Sequence, residues 1–166
     1  MGVKVKTKTN KIPEIQQSCK GISGKSVKIG ALNGSHAWLA GIHEYGCTIP
    51  VTEKMRAYLH REGLHLKDST TVIKIPERAF LRNGHDQNAD RIITQTERML
   101  SLVISGKISV DKMLDECGKQ FATAIKEYMS QTDANHPFTI ERKGTSTPLT
   151  GTTGGLVNSI TWEIEG

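Results

Sequence analysis

The chain has 166 residues, 36% of them hydrophobic and 5% aromatic, with a net charge of +5 and a pI near 9.2. That length suits one core-forming domain, residues 1–166, and the lean apolar content points to surface that neighbouring chains complete. No apolar run approaches a membrane span and no apolar h-region follows the N-terminal lysines, so the sequence predicts a soluble, unexported protein without membrane contact. The charge is modest and spread along the chain, which is not a nucleic-acid signature. Cys19, Cys47 and Cys117 are odd in number and lack paired spacing, so free thiols in a reducing compartment are expected.

Residues 3–9 alternate Val3 and Val5 with Lys4, Lys6 and Lys8, the period of a strand. Its lysines suit either a solvated sheet edge or a basic face turned toward DNA. Gly24-Lys25-Ser26 resembles the tail of a phosphate loop, but Cys19 stands where the leading glycine belongs, and Val27 to Ala31 reads as a strand rather than a helix. Asn33 to Gly46 has Trp38, Ile42 and Tyr45 at helical spacing, with Ser35 as cap and Gly46 as stop. His43, Glu44 and Cys47 have no further ligand at zinc spacing, so no metal is expected.

A short helix over Thr52 to Gly63 is capped by Thr52, and Leu64 to Ile75 returns as a strand. Pro76 ends that ladder, because it lacks a donor and fixes its own φ. Phe80 and Leu81 are then core residues, with Arg78 and Arg82 outside. Asp86 to Ser105 carries Ala89, Ile92, Ile93, Thr96, Met99, Leu100 and Val103 at helical intervals. A second helix from Ser109 carries Val110, Met113, Leu114, Cys117, Phe121, Ala124, Ile125, Tyr128 and Met129. With so short a link the two should form an antiparallel hairpin. Residues 132–155, rich in Gly, Pro and Thr, read as a flexible loop that orders against a partner or merely connects. Ile160, Trp162 and Ile164 alternate as a final strand. The fold class expected is α+β, a curved, mainly antiparallel sheet with the helical hairpin on one face. The sheet is built from the N-terminal, Val27, Val72 and C-terminal strands.

Three stretches together carry a resemblance. They are His43-Glu44-Tyr45-Gly46; Ile75-Pro76-Glu77-Arg78-Ala79-Phe80-Leu81-Arg82; and a C-terminal set of Arg142-Lys143-Gly144, Pro148-Leu149, Thr153-Gly154-Gly155-Leu156 and Ser159-Ile160. In this order they resemble the neck and tail-completion (virion morphogenesis) proteins of tailed bacteriophages, over roughly residues 36–162. Ala79 stands where that family has proline, and the stretch from Asn135 to Lys143 is shorter than its pattern.

The resemblance implies a structural virion protein at the head–tail junction, completing the tail or neck so that capsid and tail can join. It implies a homo-oligomeric ring, with six copies as the expected number, bound to other neck, connector and tail proteins. Passing contact with genomic DNA in the lumen is allowed, and the location is the virion, with the host cytoplasm during assembly. Arg78 and Arg82 are candidates for pairing between subunits, since guanidinium forks suit carboxylates; the alternative is local bonding to backbone carbonyls. A tail-terminator ring capping the tube is the nearest competing role. A basic nucleic-acid-binding module is the competitor from another class, resting on Lys4, Lys6, Lys8 and Lys11, and it predicts steep salt dependence. No nucleophile, paired carboxylates, metal spacing or phosphate loop supports an enzyme, and no cofactor is expected.

Overall fold

The computed structural model describes residues 10–32, 34–151 and 153–166. Among them are eight helices and four strands, so the α+β class holds. The expected strand over residues 3–9 lies outside the described residues.

Helix α1 (Ile12–Ile22) was not read from the sequence. Asn10 Oδ1 accepts the Ile12 amide at 3.1 Å, Pro13 occupies the first turn, and Ile15 and Ile22 are half-buried. Strand β1 (Ser26–Ala31) pairs antiparallel with β4 (Ile160–Glu165), matching Val27 with Ile164, Ile29 with Trp162 and Ala31 with Ile160. Those three pairs share one face, as the period of two requires. Helix α6 (Val110–Ser130) lies across that face, with Trp162 Nε1 donating to Asp115 at 2.9 Å. Gly118 sits under the Trp162 ring, where a Cβ would have no room.

Helix α2 (Gly34–Tyr45) begins early enough that Ser35 lies inside its first turn, not at its cap. Thr52 and Ser109 do cap α3 (Glu53–Arg61) and α6, accepting the Met55 and Lys112 amides at 3.2 Å each. The helix expected over Asp86 to Ser105 is α5 (Ala89–Ile104), and a separate short helix that was not expected, α4 (Phe80–Asp86), precedes it. At their junction the Asn88 side chain donates to the Gly84 carbonyl at 3.1 Å. The turn-rich segment is not one loop: α7 (Pro137–Lys143) starts on Pro137, with His136 Nδ1 accepting the Phe138 amide at 3.3 Å. Helix α8 (Gly155–Ser159) leads directly into β4.

The main core joins α2, α4, α6 and the C-terminal segment. Phe80, Met129, Leu149 and Ile160 are at most 1% exposed, and Ala40, Ala122, Ile125 and Leu156 complete the cluster. A smaller cluster of Ile92, Phe121 and Ala124 joins α5 to α6, with Cys117 half-buried against it.

The four strands among the described residues do not form a single sheet. Strand β3 (Val72–Ile75) pairs with β2 (Cys47–Pro50), matching Cys47 with Ile75 and Ile49 with Ile73, while β1 and β4 form a separate ribbon. Only the last four residues of the expected strand Leu64 to Ile75 are extended in a ladder. The nearest partner for Val72–Ile75 is the strand that enters α3, so the chain folds back on itself into a β2–α3–β3 lobe. Arg56 closes the lobe by donating to the carbonyls of Lys67 and Thr70 at 2.9 and 2.7 Å. From residue 45 to residue 79 no side chain is buried.

Candidate functional site

The first two sequence stretches meet at one joint. Glu44, on the last turn of α2, is only 2% exposed and points at the start of α4. Its Oε2 accepts the Leu81 amide at 2.8 Å, and its Oε1 accepts the Arg82 amide at 3.2 Å and Arg82 Nε at 2.9 Å. The first amides of any helix lack intrahelical partners and need an outside acceptor. Here the cap position is Ala79, which has no side-chain acceptor and sits at φ 41°, ψ 40°. Glu44 therefore does from a distant helix what a neighbouring Ser or Asp normally does.

Backbone bonds close the same joint. The Arg78 amide donates to the His43 carbonyl at 2.8 Å and the Ala79 amide to the Glu44 carbonyl at 3.3 Å. Gly46 makes the turn out of α2 at φ 71°, and a Cβ there would lie 2.9 Å from both the Glu77 nitrogen and the Ile75 oxygen. Only glycine fits both the conformation and the space. Pro76 is exposed and ends β3 as expected.

Arg82 spends its guanidinium within its own chain. Besides Glu44 Oε1 it donates to the Glu44 carbonyl at 3.0 Å and to Glu77 Oε1 at 2.6 Å, and it lies 5.1 Å from the centre of the Tyr45 ring. Hydrogen bonds from Glu44 first, then Glu77, hold it still more firmly protonated than an ordinary arginine. Tyr45 remains 71% exposed, as does Trp38 at 73% on the same face of α2.

His43 and Arg78 form the other side of the joint, with Arg78 Nη1 3.2 Å from His43 Nδ1. An arginine can only donate, so His43 Nδ1 is the acceptor and its proton, when neutral, is on Nε2. Burial first, then the charges of Arg78 and Lys143, lower the His43 pKa below its ordinary value. Burial likewise lowers that of Arg78, against an opposing pull from Asp133.

The third stretch packs around this joint from the C-terminal side. Leu149 and Leu156 lie in the same core cluster as Phe80, and Leu81 packs on its margin. Lys143, Pro148 and Thr153 line a cleft of about 180 Å³ with His36 and His43. Gly144 ends α7 with its amide on the Ile140 carbonyl at 2.8 Å, Gly154 precedes α8, and Ser159 Oγ donates to the Leu156 carbonyl at 2.7 Å. Arg142 pairs with the Glu62 carboxylate and donates to its backbone carbonyl at 3.2 Å, which ties α7 to the lobe.

All three stretches thus converge on the end of α2. The arrangement positions a turn, a helix start and a core plug, and it presents exposed aromatic and cationic groups at its surface. Among the described residues, no group of three or more His, Cys, Asp or Glu is placed to hold a metal ion. No helix there is long and apolar enough to cross a membrane. Sequence reasoning named Glu44 without its role and did not single out Glu77. The signal for Glu44 was a carboxylate on the apolar side of a helix, in register with Ala40. Comparison with family models, curated proteins and solved structures finds no match to this chain.

Proposed function

We propose that this chain is a structural, non-catalytic virion protein at the head–tail junction of a tailed phage or phage-like particle. It completes the tail or neck as a ring of identical subunits, so that capsid and tail can join. The observation that carries this reading is the convergence of the three motif stretches, far apart in sequence, on the Glu44 joint and the core beside it. Motif residues that build one joint together support reading them as a set rather than as chance matches.

The lobe from β2 to β3 adds support, because a segment with half-buried leucines and isoleucines and no buried side chain is suited to completion by a neighbour. In this reading the two ribbons are parts of one curved surface continued across subunits, with α5 and α6 as an antiparallel hairpin on one face. The ring works in the virion after assembling in the host cytoplasm, against other neck, connector and tail proteins.

The experiment is electron microscopy of lysates from a phage or prophage carrying a stop codon in this gene. Filled heads beside separate tails, or tails with aberrant upper ends, are the expected result, reversed by supplying the gene in trans. A tail-terminator role gives tails of irregular length. Normal infectious particles would overturn the proposal and favour the basic N-terminal segment as a nucleic-acid contact.

A further inference from the structure

A groove of about 500 Å³ runs between the end of α2, the lobe and α7. Its floor is Leu64, Leu66, Ile73, Ile75 and Phe138; its charged groups are Lys74, Arg78 and Lys143; and none of its lining residues is acidic. Such a groove suits an apolar ridge flanked by carboxylates, and it disfavours a basic partner.

Helix α5 presents such a ridge. At 100° per residue, Asp90, Ile93, Glu97, Ser101 and Ile104 share one stripe, while Arg91 and Arg98 lie to its side. All five are exposed, Ile93 to 51% and Ile104 to 38%. Neither Asp90 nor Glu97 makes a salt bridge among the described residues. Ridge and groove are also separate surfaces of one subunit, since α5 packs on α1, α4 and α6 while α2, the lobe and α7 bound the groove.

Resting on the ring reading above, we propose that α5 of one subunit seats in this groove of the next. Ile93 covers the apolar floor, and Asp90 and Glu97 face Lys74 and Lys143. Two different surfaces in contact make a head-to-tail junction, which closes into a ring when the rotation between subunits closes. Lys74 and Lys143 are exposed and otherwise unpaired among the described residues, so the junction neutralises charge that each subunit carries alone.

The test is the mass distribution of the purified full chain by sedimentation velocity, over a range of concentration and salt. Wild type should self-associate, more weakly as salt rises. Lys74→Glu with Lys143→Glu, or Asp90→Lys with Glu97→Lys, should each raise the Kd by about tenfold or more, because like charges then face one another. Mixing the two double variants should restore association through alternating native and reversed pairs, and combining all four changes in one chain should restore it through reversed pairs. Ile93→Ser, which leaves every charge in place, should also weaken it.

A wild type that stays monomeric at every concentration overturns the proposal, as does association untouched by the charge reversals or not recovered on mixing. Loss of duplex-DNA retention on reversing Lys74 and Lys143, with unchanged mass, also overturns it and makes the groove a nucleic-acid contact. Association through other surfaces, beside the expected defect in the stop-codon lysates, sinks this junction and leaves the virion reading standing.

Discussion

Replacing Glu44 with alanine tests the joint directly. The change removes the acceptor for the Leu81 and Arg82 amides, at 2.8 and 3.2 Å, in a site where the carboxylate side chain is 3% exposed. A lost helix cap costs about 1 kcal/mol, and a buried amide left without a partner about 1–3 kcal/mol. Counting one amide at the cap value and the other as unpaired gives a loss of about 2–4 kcal/mol. Arg82 is open to solvent on its guanidinium side and keeps Glu77 as a partner when Glu44 is removed. Against a typical total of about 5–15 kcal/mol, the variant should remain folded with a clearly lower urea midpoint. For a domain of this size the melting temperature should fall by roughly 4–16 °C. Glu44→Gln keeps one acceptor oxygen and should lose less. Equilibrium urea unfolding of the three proteins at one pH, with unchanged m-values, is the assay. An alanine variant within about 0.5 kcal/mol of wild type would refute the claim that Glu44 caps α4.

Other expectations concern the same region. Gly46→Ala, with its Cβ 2.9 Å from two backbone atoms, should cost more than about 2 kcal/mol. Gly63→Ala, at φ 88° with open space around it, should cost only about 1 kcal/mol, and equal losses in urea melts would contradict the steric account. Ala79→Gly should be neutral or stabilise by up to about 1 kcal/mol, because Ala79 already holds φ 41°; a clear loss would show that this conformation carries no strain. Phe80→Ala, at 0% exposure, should cost about 3–5 kcal/mol and depress soluble yield as well as the urea midpoint. His43 has its folded pKa lowered, so the unfolded chain takes up its proton first as pH falls. Its stabilising effect is complete above about pH 6.5 and is lost as pH drops from there through the folded value, so urea midpoints should decline over that window. His43→Gln should flatten that decline, and an identical pH profile in the two proteins would rule out His43 as its source.

Local chemistry carried the parts of the fold that could be read from the chain. Thr52 and Ser109 cap their helices because a hydroxyl one residue before an apolar periodic run has an amide within reach. The α6 stripe and the alternation of Ile160, Trp162 and Ile164 show themselves in the same way. Helix α1 had comparable signals in Asn10, Pro13 and the Ile15–Ile22 spacing, masked by the polar residues around them. Helix α7 was hidden because glycines and threonines dominate its surroundings, although Pro137 at its start and Gly144 at its end mark both boundaries. The split of the ribbons was not legible, since strand pairing is decided by which partner the tertiary path brings alongside. The capping role of Glu44 was illegible for the same reason: a cap is sought next to its helix, and this one lies 37 residues away.

That separation bears on the order in which the chain folds and on where it tolerates change. Helix α4 has seven residues, too few to persist alone in water, and its first amides have no acceptor until α2 arrives. The two helices therefore become ordered together, and their docking closes the segment from Cys47 to Ile75 into a loop. Doubling the length of such a loop costs only about 0.6 kcal/mol in closure entropy. A segment pinned at both ends and absent from the core can be lengthened, shortened or exchanged while the body folds as before. The joint thus leaves this segment free to vary in length and sequence without loss of the scaffold.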